Sequence, residues 1–468
     1  MGSTATKVVG ALVVATVALS TGSFWVGGWV EQVFRDSAAE AVRFGLKVTV
    51  IDYQRGVFGA VARTEVVFPS SGGDEPITVL FNHNIQHGPI PAFTAAAYIR
   101  SEPVLPEDSV EQISEILGGD PLVSEALAID STFAWGGGHR HRIILPKKFE
   151  ATFNGDKESG VRVAWDGIDG EFSVHSGRER LKASIGIGSL SLVRNVNDKI
   201  QIDRAALNGE IRRDGNTLNI DTKFTANKIV AEGDVDKTID KLAIDSQAGV
   251  ADGALNLTVK LAVGEIVREA ETRETINNGK MTLALENVDV GVLGVIFNAI
   301  LQADDEQAAL VVAQEQSVKL LQRQPVLSIK DASAHWPEGD IALDFRIGYV
   351  GTGETGQSIL ADTDLTSITA DWQLSLPRPL AERFVGKQLY EDEIEANAFD
   401  DTEGESSDEP VRKPTKEQID KQIASMIDNG ILVENRGVLS LDAAFRKGEL
   451  MLNGSSAPIE SLLSLSPF

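Results

Sequence analysis

The chain has 468 residues, enough for two or three domains, and its 42% hydrophobic and 24% charged content belongs to a folded globular protein rather than a disordered one. Its 43 Lys+Arg against 69 Asp+Glu leave a net charge of −26, which repels phosphate backbones and argues against nucleic acid as a partner. Cysteine is absent, which removes disulfides, thiolate catalysis and Cys-ligated zinc but says nothing about compartment.

Val8–Val30 carries no charged residue and sits between Lys7 and Glu31. As a helix it would be roughly 34 Å long, enough to cross a bilayer core. A cleaved signal peptide would use Val8–Leu19 as its apolar region and Ala18-Leu19-Ser20 as its small-residue site. The apolar run continues through Phe24, Trp25, Val26 and Val30, with Trp25 and Trp29 placed where indoles settle at an interface, which an anchor needs and a signal does not. Lys7 biases the amino terminus inward, and either alternative exports the body.

Residues 31–44 have apolar spacing suited to an amphipathic helix, and Gly45 can end it. Leu46–Tyr53 and Val57–Phe68 alternate as strands around an Arg55-Gly56 turn or bulge, and Ile77–His87 is a third extended stretch before Gly88-Pro89. Pro106–Leu117 reads as a short helix. From 127 to 289 the pattern is almost continuously β. Leu255, Leu257, Val259 and Leu261 face away from Asn256, Thr258 and Lys260, and Met281, Leu283 and Leu285 repeat the alternation. Asp214-Gly215-Asn216 and Asn277-Asn278-Gly279 read as turns.

Val290–Gln322 has helical spacing, and its most economical role is to cover the sheet. Strands follow at Val326–Ile329, Ile341–Tyr349 and Leu365–Leu376, then a helix around Pro379–Tyr390. Glu391–Glu409 holds ten acids and no Lys or Arg, the pattern of a mobile solvated loop. Thr415 with Gln418 three residues on predicts a capped helix, and two strands close the chain.

Few motifs carry chemistry. Gly351-Thr352-Gly353-Glu354-Thr355-Gly356 matches a dinucleotide fingerprint in letters, but no helix is predicted to open on its last glycine, so it reads as a loop between strands. Of six histidines, His139 and His141 would share a strand face without a third ligand, and His83 and His87 on one strand stand roughly 13 Å apart, too far to share an ion. Neither a zinc-protease motif nor a nucleophile elbow, P-loop or EF-hand is found, so no catalytic, cofactor or metal residue is nominated.

Tyr53-Gln54-Arg55-Gly56-Val57-Phe58, then Phe81-Asn82 and His87-Gly88-Pro89-Ile90-Pro91, resembles the paired signature of the YdgA-like family of bacterial proteins of unknown function. The resemblance implies a single-pass inner-membrane protein with a cytoplasmic amino terminus and a periplasmic body, and it brings no catalytic residues. The motif set Tyr53, Arg55, Gly56, Phe58, His87, Gly88, Pro89 and Pro91 reads first as structural: glycines for tight or positive-φ backbone, prolines to stiffen a strand exit, and Arg55 to meet a carboxylate.

The expected fold is mainly β (α+β), with long antiparallel sheets, a few covering helices and one N-terminal transmembrane helix. Its divisions are a cytoplasmic tip 1–7, an anchor 8–30, a motif-bearing region 31–126, a β region 127–289, a helical segment 290–323, a second β region 324–390, an acidic loop 391–414 and a terminal region 415–468. The expected function is non-enzymatic, with a sheet groove that binds lipid or another apolar envelope molecule, similar in kind to the β-groove proteins of the AsmA-like group. The alternative is an envelope scaffold or adaptor. Partners are membrane lipids through the anchor and a lipid or envelope-protein ligand, with no cofactor and a homo-oligomer left open.

Overall fold

The computed structural model describes residues 27–32, 34–36, 38, 47–68, 77–87, 95–104, 128–145, 147–153, 161–175, 177, 179–195, 198–233, 235–269, 273–302, 311, 316, 319–351, 365–400 and 413–459. The described chain is mainly β, with twenty-one strands and few helices. It forms two compact units: Met1–Asp214 with Thr222–Asp236, and Gly215–Asp221 with Lys237–Phe468. The division falls inside the run 127–289 that alternation alone presents as one region, and no composition change marks it.

In the first unit, a helix α1 within 27–38 precedes an antiparallel meander. Its strands are β1 (Lys47–Arg55), β2 (Gly59–Phe68), β3 (Ile77–His87), β4 (Ala97–Val104), β5 (Ala128–Phe133), β6 (His139–Ile144), β7 (Lys148–Phe153), β8 (Val161–Val174), β9 (Arg180–Asn195) and β10 (Asp198–Asp214). Strands β6 and β7 lie end to end along one edge of β8, against Asp169–Val174 and Val161–Asp166, while β9 takes the other edge.

Strict alternation would turn the apolar side chains of β8–β10 over at their midpoints, because Trp165 and Ile168, or Ile202 and Ala205, are three apart. The ladder instead skips Gly167, Gly188 and Arg204, and Gly167 and Arg204 take left-handed φ of 73° and 48°. A skipped residue restores the frame, so apolar residues stay on one side along the whole strand. Gly188 is required there, since a Cβ would strike the Asp166 carbonyl oxygen. The resulting cross-strand rows are apolar: Trp165 opposite Leu190 opposite Ile202, then Ile168, Ile187 and Ala205, then Gly170, Ile185 and Leu207.

Strands β11 (Thr217–Glu232) and β12 (Asp236–Ala251) carry the chain from one unit to the other. The second unit continues with β13 (Ala254–Glu269), β14 (Arg273–Asp289), helix α2 (Val290–Gln302), β15 (Val326–Trp336), β16 (Gly339–Tyr349), β17 (Ile368–Pro377), helices α3 (Arg378–Asp400) and α4 (Lys416–Asp428), β18 (Val433–Asn435), β19 (Val438–Arg446), β20 (Glu449–Leu452) and β21 (Ser455–Ala457). Here β18 and β20 lie end to end along one edge of β19, with β17 on the other.

Helices α3 and α4 close this unit. Leu380, Ala381 and Val385 of α3 and Ile423 and Met426 of α4 are buried in one cluster with Leu374, Leu376, Leu439, Leu441 and Phe445 of β17 and β19. Arg378 ties the elements together, donating to Glu382 at 3.0 Å, Asp420 at 3.3 Å and Glu434 at 2.7 Å. Thr415 caps α4 in the expected capping box, with Gln418 reaching back to the Thr415 amide.

Several expectations are corrected. Helices α3 and α4, rather than 290–322 alone, cover apolar strands; within α2 Val292 is buried while Val290 and Val295 are exposed, and most of 303–318 lies outside the described residues. The acidic stretch is helical as far as Asp400, because Ala- and Glu-rich sequence propagates a helix already nucleated at Arg378, with Lys387 meeting Glu391 one turn on at 3.5 Å. Asn277-Asn278-Gly279 is not a turn but a mid-strand irregularity in β14, with Asn278 at φ 53°. Asn tolerates that conformation, so the same letters serve a bulge as well as a hairpin.

No helix among the described residues is long and apolar enough to cross a membrane. Val8–Val26 lies outside the described residues, as do Pro106–Leu117 and residues 352–364 and 401–412. The last part of the expected anchor, Gly27–Val30, belongs to α1, where Val30 is buried against the sheet.

Candidate functional site

The first unit gathers its unusual residues on one sheet face. Val30 and Phe34 of α1 pack on Ala60, Ala62, Ile85, Ala97 and Ile99, small and β-branched residues that let a helix lie close to β2–β4. Two glycines set that approach. A Cβ on Gly27 would run into the His87 ring, and one on Gly28 would stand 2.9 Å from Arg55 Nη1. Glu31, one turn on, meets Arg55 at 3.7 Å and accepts from Arg35 at 3.1 Å. Gly56 closes the β1–β2 connection by donating its N–H to the Gly59 carbonyl at 2.7 Å, and the His87 N–H reaches the Phe58 carbonyl at 3.1 Å. Gly56 is needed for tightness rather than handedness: it is not among the positive-φ glycines, but an added Cβ would sit 3.1 Å from the Gly59 carbonyl oxygen.

Tyr53, Arg55, Gly56, Phe58 and His87 therefore meet in one corner, beneath and beside the start of α1. Gly88, Pro89 and Pro91 lie outside the described residues. Arg55 does meet a carboxylate, as its residue type suggested. The Tyr53 ring lies 5.9 Å from Phe34 with the Arg35 guanidinium 5.7 Å above it. Burial, reinforced by the charge of Glu31, pushes its phenol up to about 12, so it stays neutral.

Sequence reasoning missed the centre of this corner. His83 is buried, with Phe34 edge-on to its ring at 5.0 Å, and is held at both nitrogens: Nε2 to Thr64 Oγ1 and Nδ1 to Ser101 Oγ, each at 2.7 Å. In the neutral imidazole that burial favours, one hydroxyl donates to the ring and the other accepts from it. Burial lowers its pKa to about 4. The available signal was parity, since His83 and His87 share a face of β3 and that face is otherwise apolar.

The same face continues across the sheet, because directly paired residues point the same way. Ile85 opposes Ile99, Ile99 opposes Ser131, Ser131 opposes His141, and His141 opposes Phe172. His141 Nδ1 is 2.7 Å from Ser131 Oγ, its ring stacks on Phe172 at 4.3 Å, and His139 stacks on Phe133 at 5.5 Å. Burial, then the neighbouring His139, lowers the His141 pKa to about 4. His139 and His141 do share a face, 4.9 Å apart, and no group of three potential metal ligands exists among the described residues. Beyond Phe172 the face becomes the apolar rows of β8–β10, where Ile185 is 40% and Leu207 43% exposed. The opposite face is ionic, with Arg100 paired to Glu102 and Asp130, Arg140 to Glu171 and Arg180 to Glu210.

Fold and face together define a mainly β protein built from antiparallel meanders, with an amino-terminal helix seated on its own sheet. The chain belongs to the family described as bacterial protein of unknown function, DUF945, whose model matches residues 5–460. No curated protein and no solved structure matches it.

Proposed function

We propose that this is a membrane-tethered envelope protein that takes a lipid or another apolar molecule on the apolar face of its first unit. One observation carries the reading: a single face runs from the seat of α1, through the His83 and His139–His141–Phe172 groups, onto rows of Ile and Leu that no described element covers. Monomeric soluble surfaces rarely leave a contiguous apolar strip without using it. The strip is backed by an ionic face, so it is one-sided in the way a groove for acyl chains requires. The YdgA-like signature and the uncharged Val8–Val26 support an inner-membrane anchor, a cytoplasmic amino terminus and a periplasmic body. On this reading the strip begins beside the point where the chain leaves the bilayer.

Native mass spectrometry of the detergent-extracted chain tests the proposal. Co-purified lipid in the native chain, lost in an Ile185→Asp, Leu207→Asp double variant that keeps its β circular dichroism, is the expected result. A delipidated native chain that takes up no phospholipid or fatty acid at high concentration would overturn it.

A further inference from the structure

The corner at the start of α1 has a second surface, which the apolar face does not use. The β1–β2 tip presents Val57 at 45% and Phe58 at 44% exposure, and Trp29, next to Gly28, is 41% exposed. These three are fixed to one place: Gly28 lies against Arg55, Gly27 against the His87 ring, and the Phe58 carbonyl accepts from the His87 amide. A bulky apolar pair at the tip of a tight turn, where polar residues or glycine would serve the backbone as well, needs an explanation other than folding.

We propose that Trp29, Val57 and Phe58 form an interfacial foot that rests in the headgroup region of the bilayer; this rests on the tether reading above. Because Gly27 and Val30 are committed to the sheet, the uncharged stretch left for a span is Val8–Val26, roughly 28 Å as a helix, which matches the hydrocarbon thickness without surplus. Trp29 then falls about 4–5 Å beyond the end of the span, at the depth where indoles partition. The hairpin tip held beside it reaches the same layer. Glu31, Arg35 and Arg55 follow as an ion cluster on the water side, an order of apolar tip then charge that suits an interface. The foot would fix the unit's tilt on the membrane and hold the α1 end of the apolar face at the lipid.

The chain has no cysteine, so single labels can be placed without background. Full-length Val57→Cys and Phe58→Cys variants carry an environment-sensitive fluorophore and are reconstituted in phosphatidylcholine–phosphatidylglycerol vesicles. Val61→Cys, at a 61% exposed position further along β2, is the comparator. The expected result is a blue shift and loss of iodide quenching at 57 and 58, gained only with vesicles, with quenching by lipids brominated near the headgroup, and a weaker response at 61. If the chain floats with vesicles and resists carbonate extraction while both tip labels stay quenched by iodide, the foot is wrong and the tether stands. A chain that fails to float overturns the tether and the foot together. Equal protection without vesicles would identify a second copy as the occupant and overturn the foot.

Discussion

The two units solve the same packing problem in opposite ways. Each builds an antiparallel meander with two short strands set end to end along one edge of a longer one, β6 and β7 on β8, and β18 and β20 on β19. The second unit covers its apolar rows with α3 and α4, and Leu376, Leu380, Ile423 and Leu439 are wholly inaccessible. Among the described residues, the first covers the rows of β2–β4 with α1 and leaves those of β8–β10 partly exposed, Ile185 and Leu207 most of all, although Ala205 is buried. Burial of apolar side chains supplies most of the drive to fold, so an uncovered strip forgoes stability that the covered one gains.

Truncating a side chain in each unit gives the largest contrast. Leu380→Ala should destabilise the second unit by about 2–5 kcal/mol, while Leu207→Ala should cost under about 1 kcal/mol, read by chemical denaturation with hydrogen exchange resolved along the chain. Equal losses would mean that the strip of β8–β10 is covered after all.

Acid should separate the units next. His83 is held neutral, with its pKa lowered to about 4 from 6.5, so the unfolded chain binds the proton more readily. Its contribution is intact above pH 6.5 and lost as pH falls from 6.5 towards 4, on the order of 3 kcal/mol in full. Melting between pH 7.5 and 4.5 should weaken the first unit selectively, and His83→Gln should reduce that slope while His141, whose pKa is also lowered to about 4, keeps the rest. An unchanged slope in the variant would remove His83 as the cause.

A subtler test uses the helix seat. Gly→Ala inside a helix ordinarily stabilises by about 0.5–1 kcal/mol, but Gly27→Ala would drive its methyl into the His87 ring, so the sign should reverse. A higher melting temperature in this variant would show that α1 does not sit where described. The smallest effect belongs to the ionic face: Arg140→Gln removes the exposed pair with Glu171 and should change stability by less than about 0.5 kcal/mol.

Where alternation is local, the fold was legible. The rows Leu257–Leu285, Val259–Leu283 and Leu261–Met281 pair as their spacing implies, and Thr415 with Gln418 forms the capping box. What stayed hidden depends on context that a window of residues does not contain. Letters that suit a turn also suit a bulge, so Asn278 was misplaced, and a frame shift at Arg204 looks like lost amphipathicity until the neighbouring strands are known. The motif corner is half legible: Tyr53, Arg55 and His87 stand out in the sequence, but His83, Thr64 and Ser101 come together only through the registers of β2, β3 and β4. In the sequence Gly27 and Gly28 are only two letters of an apolar run, although their lack of side chains is what seats the helix.

The order of strands has a consequence for how the molecule is made. Large β folds are slow to form because distant segments must find each other before any pairing is rewarded. Here each described pairing joins strands that are neighbours in the chain, or nearly so, as β6 with β8 and β17 with β19. Loop-closure cost stays small at most steps, the exception being β17 with β19, which residues 378–437 separate, and most strands leaving the ribosome find a partner already present. The meander can therefore grow from its amino-terminal end like knitting, row upon row, with α3 and α4 made before β18–β21 and their shared core completed only when β19 emerges.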